Sequence, residues 1–266
     1  MTETATAPGV GPLLRDWRQR RRLSQLDLAL EAGISARHLS FVETGRSVPS
    51  PDMVLHLAEQ LEVPYRERNR MMLAAGYAPV YRERPLDDPE MTPIRDALDR
   101  VLQGHEPYPA VVVDRAWNMV AGNASVTALL GGVAQELLEP PVNVLRASLH
   151  PGGMAPQILN LGEWRAHLLE RLERQVALTN DPGAAELLEE LRGYPGPDPP
   201  ERSARSAADE IVATLRLATD AGELSFFSTV ATFGTAVDIT VAELAVESFF
   251  PADQATADAL RSLPAR

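Results

Sequence analysis

The 266-residue sequence contains no cysteine. Disulfides, zinc-finger sites and thiol nucleophiles are therefore excluded, and the setting expected is intracellular and cytoplasmic. Lysine is absent as well, so all 25 cationic residues are arginine. That removes the phosphate-binding P-loop, the kinase lysine and every Schiff-base mechanism. No apolar run reaches membrane-spanning length, and the N-terminus lacks the apolar stretch of a signal peptide, so no membrane partner is expected. The five histidines are His38, His56, His105, His150 and His167. None lies three or four residues from another histidine or from a matched carboxylate cluster, which argues against a metal site. Ser225 and Ser228 fall in a strand-like run rather than a nucleophile elbow. No catalytic constellation emerges, and neither an enzyme nor a cofactor is expected.

What the sequence does hold is acid. Net charge is −12. Residues 1–78 carry ten arginines against nine acidic side chains, a balance of +1, while residues 79–266 carry fifteen against twenty-eight, a balance of −13. A partner with phosphates must then meet a positive face built locally in the first part. Arg15, Arg18, Arg20, Arg21, Arg22, Arg37 and Arg46 are the residues from which such a face is expected.

The rest of the chain is organised around residues 24–45, SQLDLALEAGISARHLSFVETG. Ser24 is an N-cap residue type, and Asp27 three residues later approximates a capping box. Leu26, Leu28, Ala29 and Ala32 supply a helical apolar face. Gly33 ends the helix, Ile34 follows as a plug, and Ser35 caps a second helix with Leu39 and Val42 inward, stopped by Gly45. Two short helices joined this way predict a helix-turn-helix. Ala36, Arg37, Ser40 and Phe41 are expected to point outward, with His38 to one side. Arg37 has the chemistry to lie bidentate on a guanine, and Phe41 or Ala36 to touch a thymine methyl. Ser24, Gln25 and Arg46 are placed to hold backbone phosphates. Double-stranded DNA is the partner this implies, read by half of a homodimer.

The flanking segments complete a first domain over residues 12–78. Residues 1–11 predict a disordered tail, 12–21 a first helix with Leu13, Leu14 and Trp17 inward, and Ser50-Pro51-Asp52 a strong helix start. Leu55, Leu57, Ala58 and Leu61 are expected to pack under the two central helices, and a fifth helix runs from Pro64 to about Ala75. Residues 79–93 read as a stiff linker with four prolines. Together with a connecting helix over 93–103, whose apolar face is Ile94, Leu98, Val101 and Leu102, they span 79–104.

From residue 105 the period changes from helix to strand. A hairpin is predicted from 110–114 and 117–121, then helices over 124–130, 143–149, 155–178 and 184–192. After a loop over 193–200, strands are predicted at 211–218, 223–233 and 241–250. The fold class is multidomain, α followed by α+β: a five-helix domain, then a PAS-like antiparallel sheet with inserted helices over 105–266. An apolar pocket is expected between sheet and helices. Inward sheet candidates are Val111, Val113, Trp117 and Met119 in the hairpin and Phe226, Val230 and Phe233 in the later strand. Leu145, Leu149 and Met154 face them from the helices with Ile158, and Arg146 and His150 are the nearest groups to hold a carboxylate.

Two resemblances accompany these readings. The pattern S-Q-x-x-L-A-x-x-x-G-I-S near 24–35, with H-L-S-x-x-E-x-G-R at 38–46 and Pro49, resembles the lambda-repressor-like (XRE) helix-turn-helix family. It implies that the positions of Ala36, Arg37 and Phe41 face bases and those of Gln25 and Arg46 face the backbone. The segments P-x-V-V-V-D-R-x-W at 109–117, N-V-L-R at 143–146, H-P-G-G at 150–153, G-E-L-S-F-F-S-T-V-A-T-F-G-T at 222–235 and E-S-F-F-P-A-D at 247–253 resemble the ligand-binding domain of MmyB-like transcription regulators. That resemblance implies a sensor for a small apolar ligand, with a long-chain fatty acid as a plausible occupant. The function expected is a dimeric, ligand-responsive transcription regulator. Two alternatives stand beside it: a constitutive repressor whose second domain only dimerises, and a hydrolase carrying a DNA-binding module.

Overall fold

The structure, a computed structural model, describes residues 9–197, 213–220, 222–234 and 236–262. It divides into two compact units. The first is built mainly from the chain up to Glu83 and the second mainly from the chain after it.

Five helices form the first unit: α1 Val10–Arg20, α2 Gln25–Glu31, α3 Ala36–Glu43, α4 Pro51–Gln60 and α5 Tyr65–Ala74. The starts of α2, α3 and α4 are set by side chains that satisfy otherwise orphaned backbone N–H groups. The Ser24 hydroxyl accepts from the Asp27 amide, and the Asp27 carboxylate accepts from the Ser24 amide, a complete capping box. Ser35 and Ser50 cap α3 and α4 in the same way. Gly33 takes a φ of +62° in the turn between α2 and α3, a conformation that strains any side chain. Gly11 answers a different constraint: a Cβ there would lie 2.5 Å from the Val42 carbonyl oxygen, so α1 crosses the end of α3 at backbone contact.

The core of this unit gathers Leu14 and Trp17 of α1, Leu28 of α2, Leu39 of α3, and Val54 and Leu57 of α4. Several expectations need correction. The first helix starts at Val10, inside the segment expected to be a disordered tail; residues 1–8 of that expectation lie outside the described residues. Leu26 is exposed, because an α2 of only seven residues turns Leu28 and Ala29 inward and, among the described residues, leaves the side Leu26 faces open. Ile34 is half-buried rather than a full plug. The first residues of the expected linker are strapped onto α5: the Asn69 carboxamide accepts from the Val80 and Tyr81 amides and donates to the Tyr81 carbonyl. Tyr81 also stacks on Tyr65 with ring centroids 4.3 Å apart.

In the second unit, α6 Thr92–Gly104 leads to β1 Ala110–Val113 and β2 Met119–Gly122. Then come α7 Ala124–Leu129, α8 Val144–Leu149, α9 Leu161–Thr179 and α10 Pro182–Arg192. The remaining elements are β3 Thr214–Thr219, β4 Gly222–Thr232, α11 Ile239–Ala242, β5 Ala245–Pro251 and α12 Gln254–Ser262. The sheet is antiparallel with order β2-β1-β5-β4-β3. This puts the last strand beside the first, with the helices inserted between the early and late pairs. All four residues of β1 are buried, because both faces of the sheet are covered there. Ala110 and Val112 face α6 through Leu98 and Leu102. Val111 and Val113 face the inserted helices, among them Leu145, Trp164 and Leu168.

Here too the structure departs from the pattern reading. Trp117 is a turn residue with φ +65°, outside the strand expected to contain it. Residues 155–160 do not join the long helix: after a short 3-10 turn, Ile158 bridges Leu217, and the Asn160 side chain donates to the Thr214 carbonyl and accepts from the Arg216 amide. This segment therefore extends the β3 edge, which periodicity alone does not reveal. Val101 of α6 is exposed. Residues 239–242 form a helical turn rather than strand, so β5 begins at Ala245. The helix α12 has no counterpart in the pattern reading. Of the strand and loop expected at 193–218, residues 198–212 lie outside the described residues, as does Ala221 in the β3–β4 turn.

Candidate nucleic-acid interface and ligand cavity

The first candidate site is α3. Leu39, Val42 and Glu43 share its buried face, at the i, i+3, i+4 spacing of one helix side. A carboxylate at a core position demands a partner, and Arg18 of α1 supplies it. Arg18 Nε lies 2.6 Å from Glu43 Oε1 and Nη2 lies 2.9 Å from Oε2, while Nη1 donates to the Leu23 carbonyl at 2.8 Å. The Gln25 carboxamide nitrogen donates to the same carboxylate at 2.8 Å. Burial by itself would raise the Glu43 carboxyl, but the hydrogen bonds from Arg18 and Gln25 outweigh it and hold Glu43 below the ordinary carboxylate range. One buried carboxylate thus ties the end of α1, the start of α2 and the end of α3 together.

The opposite side of α3 is exposed at Arg37. The Arg37 guanidinium carbon lies 5.4 Å from the Phe41 ring centroid, and that of Arg46, just past the helix, lies 5.9 Å from it. The half-buried ring thus has two cations on it, both exposed, which is a cation–π arrangement. Ser24 and Ser35 are exposed, with their hydroxyls used as cap acceptors. His38 and Ser40 are half-buried beside Arg37. Ala36 is half-buried, like His38, Ser40 and Phe41, and part of its surface packs against the core of the unit.

The positive face is smaller than the arginine count implies. Arg18 is buried in the ion pair just described. Arg21 donates to the Leu61 and Glu62 carbonyls, and Arg20 pairs with Asp16 at 2.8 Å. Arg15, Arg22, Arg37 and Arg46 keep exposed side chains. The sequence signal for the Arg18–Glu43 pair is the acidic residue at a buried helical spacing, which the charge count overlooks.

The second candidate site is a cavity of about 80 Å³ between the inner face of the sheet and helices α7, α8 and α9. One bound water needs roughly 10–15 Å³, so the space exceeds a single solvent molecule. Val111, Met119, Leu145 and Met154 line it. The other positions expected there are elsewhere. Val113, Leu149 and Phe226 are packed in the core without reaching the cavity wall. Trp117 is buried, with its indole N–H donating to Gln175 at 2.7 Å and the Arg171 guanidinium 4.4 Å above its ring. Val230 lies toward the end of β4, beyond the covering helices, and is exposed. Phe233 lies past the strand and packs with the cluster on the outer face.

Arg146 and His150 do not reach the cavity either. Arg146 projects toward α10 and pairs with Glu190 at 2.6 and 2.8 Å. Its hydrogen bonds hold the Glu190 carboxyl below the usual range. Tyr194 donates to the same carboxylate at 2.5 Å; burial first, and then that bond, push its hydroxyl up to about 12. His150 accepts from the Gly152 amide through Nδ1 and meets the Tyr194 ring edge-on. The physical reason is the helix period: Val144, Leu145, Ala147 and Ser148, spaced i, i+1, i+3 and i+4, turn one face of α8 to the cavity, and Arg146 lies on the opposite face.

Several wall residues escaped the pattern reading: Val126, Leu129 and Leu130 around α7, Trp164 of α9, and Glu247 and Phe249 of β5. Which face of β5 turns inward is set by its pairing with β1 and β4, between residues distant in sequence. His167, stacked on Trp164, is held below the usual histidine range by burial and then by the charge of Arg171. Among the described residues no group of three or more metal-ligating side chains occurs, and no helix is long and apolar enough to cross a membrane.

Comparison with known proteins gives the following. Residues 94–263 match the family described as MmyB-like transcription regulator ligand binding domain, and residues 14–68 match a helix-turn-helix family. The HTH-type transcriptional repressor RghR of Bacillus subtilis (strain 168) is 41% identical over 68 residues, 25% of this chain and 48% of that protein. The uncharacterized HTH-type transcriptional regulator RghRB of the same organism is 31% identical over 115 residues, 43% of this chain and 74% of that protein. The chain thus spans about half the length of the first relative. A solved structure of an RNA-binding light-oxygen-voltage receptor aligns with 94% of this chain and 63% of that chain at 12% identity, with a TM-score of 0.25, a likeness that does not bear on fold or function. The ligand-binding match alone covers more than half of the sequence, and the chain belongs to the MmyB-like transcription regulators, with an XRE-like helix-turn-helix preceding the ligand-binding domain.

Proposed function

We propose that the protein is a cytoplasmic, sequence-specific DNA-binding transcription regulator that acts as a homodimer and performs no catalysis. Residues 12–78 bind double-stranded DNA, 79–104 connect, and 105–266 bind a small apolar ligand such as a fatty acid or another apolar small molecule. The observation that carries this reading is the pair of exposed guanidiniums, Arg37 and Arg46, set on the Phe41 ring at one face of a capped second helix. Arg37 reads a base edge in the major groove. Gln25, oriented by Glu43 with one amide hydrogen still free, and Arg46 contact the phosphate backbone. Ser24, Ser35, His38 and Ser40 lie at the same surface. A ligand in the cavity changes DNA affinity only through unequal affinity for two arrangements of the dimer.

The test is Arg37→Ala, assayed on operator and random DNA at fixed salt. Specific binding weakens by about 1–3 kcal/mol while non-specific binding barely changes. Equal loss on both removes Arg37 as a base reader. For the second domain, native mass spectrometry of the purified protein distinguishes sensing from assembly alone. A lipid-sized adduct supports the sensor, and its persistent absence favours a domain that only dimerises.

A further inference from the structure

The cap that ends α3 sets two arginines on one ring. Gly45 takes a φ of +73°, and the chain beyond it folds back on the helix. The Arg46 amide donates to the Phe41 carbonyl at 2.8 Å and the Gly45 amide to the Val42 carbonyl at 3.1 Å, the paired bonds of a Schellman motif. That motif brings the second residue past the cap against the third residue from the helix end, usually through an apolar contact. Here the contact is the Arg46 guanidinium over the Phe41 ring, its carbon 5.9 Å from the centroid. Arg37 reaches the same ring from one turn earlier, at the i, i+4 spacing that makes two helical side chains neighbours. Its guanidinium carbon lies 5.4 Å from the centroid. The ring is half-buried, while both arginines are exposed.

An arginine side chain free in solvent loses many rotamers when it grips a base or a phosphate, and that ordering weakens binding. A ring that already holds the guanidinium removes part of this loss before DNA arrives. Two cations on one ring also repel each other, and a neighbouring phosphate relieves that repulsion. A leucine fills a similar half-buried space but presents no negative π face to either cation. We infer that Phe41 is a positioning residue for DNA recognition: it acts through Arg37 and Arg46, orienting the base reader and the phosphate contact together, rather than by touching a thymine methyl itself. The inference rests on the reading of α3 as the helix that enters the major groove.

Fluorescence anisotropy of the full chain tests it, on a duplex that the unmutated chain selects from a random-sequence library. One low salt concentration is used throughout, where phosphate contacts keep weak binders measurable. Phe41→Leu, apolar but ringless, is expected to weaken binding by about three- to ten-fold, whereas Phe41→Tyr stays within about two-fold. In a chain already carrying Arg37→Ala and Arg46→Ala, Phe41→Leu changes affinity by less than about two-fold, because the groups it acts through are gone. A loss of equal size in both backgrounds overturns the assignment, whether Phe41 touches DNA itself or only supports the fold. So does a Phe41→Leu chain that binds as tightly as the unmutated one. If thermal unfolding shows that Phe41→Leu does not fold, Phe41→Met, equally ringless, carries the same comparison. An unmutated chain that enriches no duplex overturns the DNA-binding reading of α3 and the assignment with it.

Discussion

Glu43 is the residue on which the geometry of the DNA-facing unit turns. Its side chain is 1% exposed and that of Arg18 is 9% exposed, so neither charge has water to fall back on. Removing one partner leaves the other buried and unpaired, and Glu43→Gln is expected to destabilise the unit by about 3–5 kcal/mol near neutral pH. The sign of the pH dependence follows from the shift. Glu43 is held below its ordinary carboxyl value of 4.5 in the folded state, so its contribution is present above that value and is lost as pH falls through the folded one. Denaturant unfolding at pH 7 and pH 3 checks this: the gap between Glu43→Gln and the unmutated protein shrinks at pH 3. An equal gap at both pH values would show that the ion pair is not the source.

At the level of elements, two contacts set the shape of the sites. The first is the crossing of α1 over the end of α3, where Gly11 leaves no room for a Cβ. Gly11→Ala forces the helices apart and is expected to cost about 1–3 kcal/mol. Gly9, the N-cap of α1, has φ −64° and nothing within 4 Å of its would-be Cβ, so Gly9→Ala carries only the cap preference, about 0.5–1 kcal/mol, without a clash. Thermal unfolding of the two variants separates local crowding from a general effect of adding a methyl. The second contact is the gap between the sheet and helices α7 to α9. Val111→Phe puts a ring into the cavity from β1, the strand buried on both faces. A melting-temperature rise on adding 1-octanol is expected for the unmutated protein and is abolished in Val111→Phe. Retention of the full shift in that variant would place the ligand elsewhere.

For the whole molecule, the question is how a chain of net charge −12 binds a polyanion. The answer proposed is local: a few exposed arginines in residues 1–78 neutralise phosphates, and association falls steeply with salt. Arg46→Ala is expected to weaken binding about equally on all sequences and to lower the slope of log K against log salt by about one, measured by fluorescence anisotropy. An unchanged slope removes Arg46 from the phosphate contacts. Much of this architecture was legible in the residues themselves. Caps at Ser24, Ser35 and Ser50 are short-range chemistry, so the helix starts they mark appear where the sequence places them. The hairpin, the inserted helices and the late strands follow from periods of two and 3.6. Side-chain destinations across long sequence separations did not follow. Arg18 looks like a surface cation until Glu43 is found 25 positions away at its guanidinium. Arg146 looks like a pocket anchor until Glu190 claims it, and Glu247 looks like surface acid until the register of β5 turns it inward. Local hydrogen bonding and hydrophobic period are written into neighbouring residues, so the sequence by itself determined most of the elements and the family they make, but not α12, the edge segment at 155–160 or the helical turn at 239–242. Which charges end up paired, and which carboxylate faces the cavity, depends on strand register and helix docking between distant segments, and only the tertiary structure decided that.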